Sequence, residues 1–126
     1  MGIENHKALE SHFAKGALFE NLILVEYLKK QYNQGRNPNC YFWRDKLGHE
    51  IDIILERDSK LFPIEIKSGK TINTDYFKNI NYFNMISNIN NSSYLIYDGN
   101  EEPRSGTKIF NWQNIESLWI DTETSY

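Results

Sequence analysis

The segment that most restricts this chain runs from Glu50 to Lys67, EIDIILERDSKLFPIEIK. With Asp58-Ser59 at the centre of a two-residue hairpin turn, Ile51 faces Ile66, Ile53 faces Ile64 and Leu55 faces Phe62. Every pair on that face is apolar. The opposite face pairs Glu50 with Lys67, Asp52 with Glu65 and Ile54 with Pro63. A slip of one residue would mix the two sets, so the hydrophobic pattern fixes the register. Pro63 has no N–H to give, which predicts a free or irregular stretch in the ladder there.

This register sets two carboxylates across from each other, about 5 Å apart at Cβ. Asp52 and Glu65 repel unless they share a proton, face a cation such as Lys67, or bind a divalent metal. Carboxylate oxygens suit Mg²⁺ or Mn²⁺, and such an ion can polarise a phosphate and acidify a water. A lysine beside it can stabilise developing charge. The bland reading is a solvated strand face with weak cross-strand ion pairs.

The remaining elements are set by period and punctuation. Residues 1–15 read as a lead-in, or as the tail of an upstream domain, and Gly16 separates them from the first helical pattern. Over Ala17–Tyr32, Leu18, Leu22 and Val25 recur at helical spacing, with Phe19, Ile23 and Tyr27 beside them. Gly35 and Asn37-Pro38 end that helix. Cys40–Arg44 predicts a short aromatic strand and Lys46-Leu47-Gly48 a turn. Asn73–Ile86 predicts a second helix, followed by a polar loop over Ser87–Ser93. Tyr94–Tyr97 and Thr107–Trp112 predict two more strands, joined by a turn-rich Asn100–Gly106. Asn114–Trp119 predicts a short last helix. The expected fold is α/β: a mixed sheet flanked by helices in the order α-β-β-β-α-β-β, in three layers.

Composition narrows the function. The 126 residues are 40% hydrophobic and 25% charged, with a formal charge of −3, as in an ordinary folded domain. A strongly basic balance, the usual mark of non-specific nucleic-acid binding, is absent, so contact with DNA needs a local patch, a metal or a partner. The single cysteine, Cys40, excludes an internal disulfide and a Cys-rich zinc site. The apolar stretch around residues 17–28 is too short and too polar for a membrane span, and no signal pattern precedes it. We expect a cytoplasmic protein.

At Glu20 (GALFEN), Asp52 (GHEIDIIL) and Glu65-Ile66-Lys67 (PIEIKSG), the chain resembles the PD-(D/E)XK nuclease superfamily. Those enzymes carry an acidic residue on a first helix, an Asp on a strand, and Glu-x-Lys on the next. Ile51 stands where the superfamily name has Pro. The longer strings GALFEN, YFWRDKLGHEIDIIL and PIEIKSGK resemble the C-terminal domain of bacterial and archaeal AAA-type ATPases. That resemblance runs from about Gly16 to about Trp119.

The resemblance implies a restriction-endonuclease-like fold over residues 16–120, with residues 121–126 as a tail. It also implies a Mg²⁺ or Mn²⁺ ion held by Asp52, Glu65 and the backbone carbonyl of Ile66, with Glu20 joining the shell. Lys67 would position the attacking water or stabilise the phosphorane. DNA would be the substrate, and an upstream ATPase domain or an oligomer of this chain the partner. The rival function is a non-catalytic module for oligomerisation, partner recognition or nucleic-acid positioning. Glu50 is expected in an ion pair with Lys67, and His49 in an exposed turn. Arg44, Lys70 and Lys78 are either phosphate contacts or plain surface charge.

Overall fold

Both residues at the hairpin tip adopt left-handed backbone, Asp58 at φ 51° and Ser59 at φ 66°. That is the type I′ geometry, whose twist matches that of the strands it joins. In the computed structural model, which describes residues 3–37, 39–87, 92–100 and 106–124, this turn joins β2 (Glu50–Arg57) to β3 (Lys60–Ile66). The pairs Ile53↔Ile64, Ile54↔Pro63 and Leu55↔Phe62 form as the pattern demands.

The other strands are β1 (Cys40–Arg44), β4 (Ser93–Tyr97) and β5 (Thr107–Asn111). They complete a five-stranded sheet in the order β1-β2-β3-β4-β5. Its first three strands form an antiparallel meander, and β3, β4 and β5 run parallel. Pro63 sits in the middle strand without harm, because the pairing with β4 begins one residue later, at Ile64↔Tyr94.

Among the described residues, three helices cover the sheet. They are α1 (Ile3–Asn33), α2 (Lys78–Ser87), entered through a 3-10 turn at Thr74–Phe77, and α3 (Ile115–Thr124). Ile23 and Tyr27 of α1 and Leu118 and Trp119 of α3 pack on Ile53, Leu55, Phe62, Ile64, Ile66, Tyr94 and Ile96. On the other face, Ile80 and Phe83 of α2 pack on Ile51 and Ile54. The result is a three-layer α/β core of helices, mixed sheet and helix.

Three sequence expectations change. Gly16 does not divide α1, which runs through it; a single glycine costs a helix only about 1 kcal/mol. The stripe Leu18, Leu22 and Val25 is exposed at 68%, 43% and 43%, while Ile23 and Tyr27 of the stripe beside it are buried. The ladder between β2 and β3 also stops at Ile53↔Ile64, short of the expected Ile51 and Asp52 pairs. Pro38, residues 88–91 and 101–105 of the two expected loops, and 125–126 lie outside the described residues.

Candidate metal centre

Where the ladder stops, side chains take over. Tyr41 pairs with Ile54 and Trp43 with Ile51, so Asp52 and Ile53 together oppose the single residue Phe42. This is a β-bulge, which shifts the alternation by one residue and re-aims what it carries. It explains why Ile51 joins Ile54 on the α2 side instead of staying with Ile53.

Asp52, at the bulge, accepts the backbone N–H of Ile66 at Oδ2, 2.8 Å away. Glu65 returns the contact: its Oε1 accepts the backbone N–H of Asp52 at 3.1 Å. Each carboxylate thus replaces a missing ladder bond with one oxygen. The second oxygen of Glu65, Oε2, lies 3.5 Å from Lys67 Nζ. The Lys67 ammonium in turn sits 5.5 Å from the centre of the Tyr76 ring, a cation–π distance.

The strand ends around this cluster are well fastened. Lys67 N–H donates to Ile96 O at 2.8 Å, and Asp98 N–H to Gly69 O at 3.0 Å. Gly99 must lack a side chain, since a Cβ there would collide with the Lys70 carbonyl and the Tyr97 ring.

The electrostatics are those of a site short of positive charge. Glu65 is 2% exposed. Burial first, and the Asp52 charge second, push its carboxyl up to about 8 against the attraction of Lys67. Burial and Glu50 push Asp52 up as well, opposed by the Ile66 N–H and Lys67. Glu20, exposed on α1, is raised by partial burial and then by Asp52, so it stands within electrostatic reach of the pair. Glu20 does not close with the pair into a cage: among the described residues no three His, Cys, Asp or Glu side chains are grouped to hold a metal.

The structure therefore brings together Asp52, Glu65, Lys67 and the backbone of Ile66, and leaves Glu20 at the margin. Lys67 pairs with Glu65, not with Glu50 as expected. His49 is more anchored than a free turn residue: Nδ1 lies 3.1 Å from Asp45 Oδ2, and the ring stacks on Tyr82 at 3.7 Å. Tyr76, under the Lys67 ammonium, is a site residue whose sequence context suggests only aromatic packing or stacking. No spacing signal links it to Lys67.

The donor set fits a hard divalent cation. Asp52 Oδ1 and Glu65 Oε2 remain for a ligand after the backbone N–H groups are served, and Mg²⁺ is commonly held by one or two carboxylates plus waters.

A five-stranded mixed sheet flanked by helices, its central hairpin ending in the half-buried Asp52 and the buried Glu65 beside a lysine, defines an α/β domain. Residues 15–116 match the domain of unknown function DUF4143, and the chain belongs to that family. Neither the curated proteins nor the solved structures give a match. No helix among the described residues is long and apolar enough to cross a membrane.

Proposed function

We propose that this domain is a Mg²⁺- or Mn²⁺-dependent phosphodiesterase acting on DNA, working beside an ATPase domain. The observation that carries the assignment is the Asp52–Glu65 pair: two carboxylates raised chiefly by burial, Glu65 also by the Asp52 charge and Asp52 by Glu50, with a lysine beside them. A cation relieves that deficit of charge, and a polyanion such as DNA then meets a less negative surface.

Asp52 and Glu65 would hold the ion through Oδ1 and Oε2, with the Ile66 carbonyl and Glu20 in support. A bound ion would supply Lewis-acid polarisation of the phosphodiester and a more acidic water. Lys67 would direct its side-chain nitrogen at charge that develops on phosphorus-bound oxygen. The Tyr76 ring restricts where that ammonium can lie. The backbone clasps, Asp52 to Ile66 N–H and Glu65 to Asp52 N–H, hold both carboxylates in place before any ligand arrives.

Those clasps also favour a second assignment, in which the pair only joins two strands where the ladder fails. Manganese titration and plasmid nicking separate the two. The nuclease assignment expects Mn²⁺ binding that is lost in Asp52→Ala and Glu65→Ala. It also expects Lys67→Ala to bind Mn²⁺ but cleave about 100-fold more slowly or worse. If the parent binds no Mn²⁺, and the two carboxylate variants differ from it only in stability, the pair is a structural clasp.

A further inference from the structure

We infer that the cleft at the far end of α1 and β2 binds a small organic carboxylate. Arg57, in its wall, stands five residues along β2 from Asp52, about 17 Å of strand. The cleft is therefore separate from the acidic pair and does not rest on the nuclease assignment. It encloses about 530 Å³, within the usual range of small-ligand sites.

Its wall holds donors that have no hydrogen-bond acceptor among the described residues. Gln31 is 1% exposed, and its Nε2 has no hydrogen-bond partner among the described residues. Arg57 Nε and Nη2 are buried with none either. Buried polar atoms are normally satisfied, so three orphans in one cleft call for a ligand.

The orphans specify its chemistry. All three are N–H groups, so the ligand brings acceptors. Nε and Nη2 form one edge of the guanidinium, which matches the two oxygens of a carboxylate. The chain's own Glu123 does not fill that edge: its Oε1 lies 3.1 Å from Arg36 Nη1 but 3.9 Å from Arg57 Nη2. The lining sets Arg36 and Arg57 against Glu56, Asp58 and Glu123. That balance is one negative charge overall, so a multiply charged anion is repelled most, and a carboxylate is held by the Arg57 edge and the Gln31 amide and not by the net charge of the wall.

The test is two-dimensional NMR of the whole chain, tracking the Arg57 Nε–H and Gln31 side-chain amide signals. Sodium benzoate, benzamide and inorganic phosphate are the probes. Saturable shifts are expected with benzoate, with benzamide and phosphate weaker by about tenfold or more. Arg57→Lys keeps the charge but loses the fork, and Gln31→Leu keeps the packing but loses the amide. Each is expected to weaken benzoate by about tenfold while backbone signals away from the cleft stay in place. Shifts that never saturate, benzamide binding as well as benzoate, or phosphate binding more tightly would each overturn the assignment. So would benzoate binding unchanged in both variants.

Discussion

Glu65 binds a proton in the folded chain over a range where the unfolded chain has released it. Its carboxyl rises from 4.5 to about 8 on folding, chiefly through burial. Between those values the folded state holds more protons than the unfolded state, so stability falls as pH rises. The contribution is complete below 4.5 and is lost on passing about 8. With metal chelated, the thermal midpoint is expected to drop across that window, and Glu65→Gln to flatten the drop. An equal slope in parent and variant would place the titration elsewhere. At this scale the sequence is informative about which carboxylates meet, since register alone brings Asp52 to Glu65. It does not reveal the bulge, because Ile53, Ile54 and Leu55 are apolar on both faces of β2, so a shift of one residue against Phe42 puts no polar side chain out of place.

Among elements, the β2–β3 hairpin and α1 make the sharpest contrast. The hairpin is legible because its turn and its apolar face agree on a single register. Its tip still carries strain, as Ser59 sits at φ 66°. Ser59→Gly is expected to stabilise the domain by about 1 kcal/mol, read as a higher urea midpoint with unchanged slope. In α1 the stripes Leu18-Leu22-Val25 and Phe19-Ile23-Tyr27 both recur at three- or four-residue helical spacing and lie one or two positions apart. Periodicity cannot say which of two such stripes meets a sheet. Packing decides it, through the contact of Tyr27 with Trp119 at 4.8 Å between ring centres. Ile23→Ala is expected to cost about 2–4 kcal/mol. Leu22→Glu is expected to change stability by less than about 0.5 kcal/mol. The reverse order in chemical denaturation would return the buried stripe to Leu22.

At the scale of the molecule, α3 closes the core that α1 and the sheet begin. Trp119 and Leu118 are fully buried, yet they lie beyond residue 116, where the family match ends. Trp119→Ala is expected to cost about 3–5 kcal/mol, a large part of the stability of a domain this size. A protein ending at residue 116 is then expected to be largely unfolded by circular dichroism. A cooperative transition like the parent's would show that α3 is dispensable. The expected order of elements and the three layers hold at this scale, because strand and helix periods differ enough to be told apart. The donor-lined cleft is not legible in the sequence, since Gln31, Arg57 and Glu123 come from three elements and only the fold brings them together.

The change from antiparallel to parallel pairing within the sheet has a consequence in time. The pairings of β1, β2 and β3 are local, whereas β3 reaches β4 only across α2, as in Ile64↔Tyr94. Short loops close with less loss of chain entropy, so the meander can assemble ahead of the parallel half. On that order Asp52 and Glu65 come together before β4 docks beside Glu65, at Glu65↔Leu95. The cost of burying the pair then falls on the late step of folding, and a proton or a cation that neutralises the pair is expected to speed it.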